Sequence, residues 1–208
     1  MESKINEFVK RLGEIELSES ATNLYKVNSE EGELRVNNLT LYLTKMYNLK
    51  PKSIIVGEAA GYKGCRLTGI PFTSERIIKT NPFFKNDTSF MILGRKKRYV
   101  SEQSATIVWE ALKDAKYIPL IWNIFPFHPF DSKKGEISNR KPSVDELKIG
   151  GEILKELLKI FDNVSNYYAI GRHSEKIMSE LNLSPQYIRH PANRGKAEFN
   201  KGIERYIK

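Results

Sequence analysis

The chain has 208 residues, 34 of them Lys or Arg against 25 Asp or Glu, for a formal charge of +9 and a pI of about 9.4. That is enough chain for one α/β domain with a real core, and its charge balance suits a polyanionic partner such as nucleic acid without excluding a soluble lysine-rich protein. One cysteine, Cys65, excludes an intramolecular disulfide, a Cys-rich zinc site and a four-cysteine iron–sulfur cluster; no apolar run reaches membrane-spanning length and Met1-Glu2-Ser3-Lys4 begins no signal peptide, so a cytoplasmic protein is expected.

In chain order, residues 3–14 and 36–48 read as amphipathic helices, the second carried by Val36, Leu39, Leu41, Leu43 and Tyr47. An apolar run at 53–57 reads as a strand. The segment 79–100 gives no clear element, and Gly94-Arg95-Lys96-Lys97-Arg98 reads as a mobile basic loop. Helical periodicity returns over 101–114, and a strand follows at 118–123. Ser143-Val144-Asp145-Glu146 then forms a capped helix start, with acidic residues where the helix dipole favours them. The helix expected from it runs to Phe161 on Leu147, Ile149, Ile153, Leu154, Leu157 and Leu158. Strands at 166–171 and 186–190 close the series, with His173 at a helix start between them. This alternation predicts an α/β fold. No internal repeat or low-complexity tract is present, and one domain over 1–208 is expected, with N-terminal helices over about 1–50 and a motif-bearing core over about 51–208.

Two loops stand out. Val56-Gly57-Glu58-Ala59-Ala60-Gly61 follows the strand Ser53-Ile54-Ile55-Val56, and His190-Pro191-Ala192-Asn193-Arg194-Gly195 follows Tyr187-Ile188-Arg189. In an open α/β sheet, loops at the carboxyl ends of parallel strands gather in one ligand-binding crevice. A carboxylate and an imidazole are therefore expected to face one substrate.

The pair resembles the uracil-DNA glycosylase superfamily, whose first motif is a Gly-(Gln/Glu/Met)-(Asp/Ala/Asn)-Pro-(Tyr/Gly) loop and whose last is His-Pro-Ser before a DNA-penetrating loop. Gly69-Ile70-Pro71-Phe72 is similar to the Gly-x-Pro-Phe segment of the thermostable and single-strand-selective branches. Leu120-Ile121-Trp122-Asn123-Ile124-Phe125-Pro126 resembles the strand carrying the base-reading asparagine, and Asn139-Arg140-Lys141-Pro142 the Asn-Arg-x-Pro of the iron–sulfur branch. The likeness runs from roughly residue 50 to 205, with the matches in the family's order. It implies a three-layer α/β/α sandwich with a short, mainly parallel four-stranded sheet. The missing cysteines depart from the iron–sulfur branch, so no cofactor and no metal are expected.

What the resemblance implies for single residues can be weighed against their chemistry. Glycosidic cleavage builds positive character on the sugar and negative charge on the departing base, which must first leave the stack. Glu58 takes the glutamate position of the Gly-Glu-Ala-Pro-Gly branch, where a carboxylate would orient and deprotonate water. Ala59 stands where other branches carry aspartate or asparagine, and Ala60 replaces the usual proline. His190 would donate a hydrogen bond to the carbonyl gaining charge; His128 is a candidate for the pocket wall. Asn123 offers a donor and an acceptor to the uracil edge, and Phe72 would stack on the flipped ring. Gly57, Ala59 and Gly61 would line the base, Gly61 leaving space beside C5 where double-strand-active enzymes carry tyrosine, unless Tyr62 or Tyr99 swings in. Arg194 would fill the vacated stack, flanked by Asn193 and Lys196, with Arg140 as a further DNA contact.

The expected function is a monofunctional glycosylase acting as a monomer on single- or double-stranded DNA, away from membranes. It would excise uracil or a 5-modified pyrimidine and leave an abasic site. Removal of a hypermodified base from phage DNA, as an antiviral defence, and a catalytically silent DNA-binding member of the superfamily are the alternatives. A nucleotide-processing enzyme is disfavoured, because the chain has no Gly-x-x-x-x-Gly-Lys phosphate loop.

Overall fold

The computed structural model describes residues 2–94 and 98–208. Part of the basic run Gly94–Arg98 thus lies outside the described residues. Helix α1 (Glu2–Glu14) turns Ile5, Phe8, Val9 and Leu12 inward, the i, i+3, i+4, i+7 stripe of an amphipathic helix. A two-residue strand, β1 (Ala21–Thr22), follows. Helix α2 (Glu30–Leu49) begins earlier than the apolar periodicity indicates. Its start is set by the Ser29 side chain, which accepts from the Gly32 N–H, and by Glu30, Glu31 and Glu33 in the first turn.

Strand β2 (Ser53–Ala59) leads through short helices α3 (Cys65–Thr68), α4 (Glu75–Thr80) and α5 (Pro82–Lys85) to α6 (Gln103–Leu112). Strand β3 (Leu120–Phe125) is buried throughout, and β4 (His128–Pro129) lies just beyond it. A 3₁₀ turn at Gly135–Ile137 precedes α7 (Val144–Ile160), which opens with the expected Ser143/Glu146 capping box. Strand β5 (Asn166–Ile170), α8 (Arg172–Glu180), β6 (Gln186–Ile188) and α9 (Lys196–Tyr206) complete the chain.

The main sheet has the order β3-β2-β5-β6, every pair parallel, with helices flanking it in the expected α/β/α layering. Near-continuous apolar residues in β2 and β3 fit strands covered on both faces. β3 is an edge, and α2 closes it: the Tyr42 hydroxyl donates to Ile121 O (3.2 Å) and accepts from Ile121 N–H (2.8 Å). Gly150 lets α7 lie on β3, since a Cβ there would stand 2.1 Å from Ile124 O. Phe8 of α1 meets Trp122 of β3 at 5.9 Å between ring centroids. β1 pairs antiparallel with β4, tying the segment after α1 to the strap that follows β3. No helix among the described residues is long and apolar enough to cross a membrane.

Candidate active site

Register places the site. Gly57 on β2 stands opposite Asn123 on β3, so the carboxyl ends of the two strands reach the crevice together. A cavity of about 550 Å³ opens there, lined among others by Glu58, Phe72, Asn123 and His190, with Gly61 and Ala59 from the first loop. The structure therefore brings together the sequence-predicted carboxylate, imidazole, amide and aromatic ring.

Phe72 forms a fixed wall. Its backbone sits at φ 49, a left-handed value unusual for a non-glycine residue. Trp109 Nε1–H donates to its carbonyl at 3.1 Å, and the Thr68 hydroxyl holds the next carbonyl, that of Thr73, at 2.7 Å. The ring presses on Gly57, where a Cβ would lie 2.4 Å from Cε2 and Cζ. Only glycine tolerates that approach. Asn123 is 1% exposed, and its Oδ1 has no hydrogen-bond partner. A buried acceptor without a donor costs about 1–3 kcal/mol, and here it lies beside an aromatic wall in a cavity of ligand size.

Glu58 is half-buried, with Oε1 2.9 Å from His173 Nδ1. His190 Nδ1 accepts the Ala192 N–H at 3.1 Å. Burial pushes the His190 imidazole below its ordinary value, the Glu58 carboxylate opposes that shift and Arg189 adds to it. A neutral ring whose Nδ1 accepts must carry its proton on Nε2. His190 is thereby left with a donor for the cavity.

The first loop is held without its proline. Ala60 N–H donates to Phe127 O at 3.3 Å, a bond proline could not make, and Ala60 O lies 2.8 Å from His128 Nδ1. The other ring nitrogen of His128 is 3.0 Å from Glu136 O. His128 is fully buried behind this loop and takes no part in the cavity wall. Asn139 Oδ1 accepts the Tyr62 N–H at 3.0 Å, clipping the loop from the other side. A Cβ on Gly61 would meet nothing within 4 Å, and neither Tyr62 nor the exposed Tyr99 lines the cavity.

The residues expected to meet DNA are dispersed in role. Asn193 (φ 53) and Arg194 (φ 63) are exposed in consecutive left-handed conformations beyond His190, on a turn closed by Gly195 N–H to Ala192 O at 3.0 Å. Lys196 pairs with Glu110 at 3.0 Å, an exposed contact. Arg140 lines the cavity, but both terminal nitrogens reach Glu146 at 2.6 Å, and Nη2 also reaches Ser20 O and Oγ at 3.0 Å. It is a strut that holds the strap to the start of α7. The exposed Lys141 beside it also lines the cavity.

Sequence reasoning missed His173 as a partner of Glu58, and Glu102 as a second carboxylate at the cavity. Glu102 caps α6, its two oxygens accepting Ser104 N–H and Ala105 N–H, each at 2.9 Å. The crevice rule applied to the strand–glycine–helix passage at 166–173 would have found His173.

A four-stranded parallel sheet flanked by helices, with this crevice at its carboxyl ends, defines a three-layer α/β/α protein. Among solved structures the chain is similar to wild-type Pedobacter heparinus SMUG2, with a TM-score of 0.69 and 16% identity, over 99% of this chain and 96% of that one. No protein-family model matches the chain, and no curated protein matches it. At that identity, the likeness establishes the fold.

Proposed function

We propose that the chain is a monofunctional DNA glycosylase that flips a uracil or 5-modified pyrimidine into the cavity and hydrolyses its N-glycosidic bond, leaving an abasic site. One observation carries the reading: a buried, unsatisfied Asn123 Oδ1 beside the fixed Phe72 ring. A pyrimidine imide N–H supplies the missing donor, and the side-chain amide in turn donates to the adjacent carbonyl. Cytosine offers a lone pair where uracil offers that N–H, so it leaves Oδ1 unpaired, a penalty of about 1–3 kcal/mol.

The remaining residues fit the charges that develop. Water gives a proton to the Glu58 carboxylate while its oxygen bonds to C1′. The electrons of the C1′–N1 bond leave with the base, whose carbonyl oxygen gains charge and accepts from His190 Nε2–H. Glu58 also favours the cationic sugar through its own charge. The open space at Gly61 supports 5-substituted pyrimidines, including the bulky modified bases that a defence enzyme would remove.

The test is a panel of oligonucleotides, each with one deoxyuridine, 5-hydroxymethyluracil, hypoxanthine or glucosylated hydroxymethylcytosine, followed by mass detection of released base. Release of a pyrimidine with an intact abasic strand is expected. Tight binding with no release from any substrate would instead identify a DNA-binding member of the fold.

A further inference from the structure

Glu58 has a partner that lies outside the cavity lining. The His173 ring arrives from the first turn of α8, with Nδ1 2.9 Å from Glu58 Oε1. The passage from β5 to α8 fixes its place. Gly171, at φ 92, is the single residue between the strand and the helix, and its N–H donates to Ile188 O on β6 at 3.0 Å. A side chain at that φ would be strained. Arg172 stacks on the Tyr187 ring at 3.9 Å and pairs with Glu175 at 2.7 Å. The first turn of α8 is thus tied to β6 on one side and to its own second turn on the other. His173 is carried by a braced element rather than by a loop.

We infer that His173 is a positioning residue for Glu58, holding Oε1 through Nδ1–H so that Oε2 is the oxygen that takes the proton from water. The inference rests on the glycosylase reading above. Glu58 is half-exposed and its side chain has rotamer freedom to lose. A donor on a rigid helix selects the orientation in which the second oxygen remains available. The two imidazoles then have separate work. His190, whose Nδ1 is occupied by Ala192 N–H, serves the departing base from the cavity wall. His173 acts only through Glu58. The contact is partly solvent-exposed, and exposed ion pairs add little to stability; its consequence should therefore appear in the rate.

The experiment compares wild type, His173→Phe, His173→Ala and His173→Asn on an oligonucleotide carrying one deoxyuridine, or whichever base of the panel the wild type releases. Single-turnover release and DNA affinity by fluorescence anisotropy are measured for each. Removing the donor with Phe or Ala should slow release by about ten- to a hundredfold, by analogy with the loss of the hydrogen-bond partner that orients a metal-binding side chain. Affinity should stay the same, because His173 is not in the cavity. Asn, which restores an N–H near the place of Nδ1–H, should recover most of the rate. Wild-type rates for both Phe and Ala, or an Asn variant no faster than they are, would overturn the positioning role alone. A wild type that releases no base from any member of the panel would overturn the glycosylase reading and this inference together.

Discussion

Gly57→Ala would drive a methyl group into the two side chains that flank Gly57. A Cβ there would stand 2.4 Å from two carbons of the Phe72 ring and 2.9 Å from Asn123 Oδ1. Real carbon contacts do not come that close, so one neighbour must move. Neither moves cheaply. The Phe72 backbone is already in the left-handed region, its carbonyl is held by Trp109, and its ring is buried; Asn123 lies on a strand buried from end to end. Overpacking of this kind costs about 1–3 kcal/mol. For a chain of this length each kcal/mol lowers the melting temperature by about 2–4 °C, which gives an expected loss of roughly 2–12 °C. The larger consequence is for the reaction, because the aromatic wall and the amide that would face the base are displaced together. A misplacement of about 1 Å at a reacting centre can cost a hundredfold in rate. Thermal unfolding and single-turnover base release measure the two effects separately. The double variant with Phe72→Leu should lose less stability than the sum of the single variants, since removing the ring edge relieves the clash. A Gly57→Ala protein with wild-type stability and wild-type release would show that the ring yields freely, and the case for a rigid stacking wall would fall.

Four further substitutions bear on the chemistry. Glu58→Gln and His190→Ala should each slow excision by about 10²–10³ while leaving DNA affinity largely intact, because in the proposed reaction both residues would act on charge that develops after binding; wild-type turnover by both would remove them from the mechanism. Asn123→Asp should weaken uracil release and shift preference toward cytosine, since a carboxylate accepts where the amide donates; identical release profiles for the two bases would exclude edge reading at this position. Arg194→Ala should impair excision from duplex far more than from single strands, because only the duplex must be held open around a vacated stack, and should slightly reduce the salt dependence of binding. Equal loss on both substrates would make Arg194 one more phosphate contact.

How much of this was legible in the chain depended on whether a feature is local. The strands at β2, β3 and β5, the capped start of α7 and the meeting of Glu58 with His190 follow from runs of apolar residues, a Ser-x-x-Glu pair and the crevice rule. The true start of α2 at Glu30 escaped the apolar pattern because its first turn is polar, even though Ser29 before three glutamates is a start signal in its own right. Arg140 shows a different limit. Its motif context suggested contact with DNA, yet Glu146 six residues on and Ser20 far back in the chain take both of its terminal nitrogens. No sequence pattern announces a strut whose ends come from separate elements.

His173 and Glu102 mark the same boundary from the other side. Each is a polar residue at the start of a helix, and the ordinary reading of such a residue is that it serves the helix. For Glu102 that reading holds, because both carboxylate oxygens accept α6 backbone N–H groups even as the residue lines the cavity. For His173 it does not: the ring crosses to Glu58, 115 positions away, and the backbone of α8 gains nothing from it. The difference lies in Gly171. By turning the chain sharply from β5 into α8, it puts the first helical turn directly over the carboxyl end of the sheet, next to the strand that carries Glu58. A glycine at that junction, followed at once by a helix and an imidazole, is therefore as much a part of the candidate site as the two loops that carry Glu58 and His190.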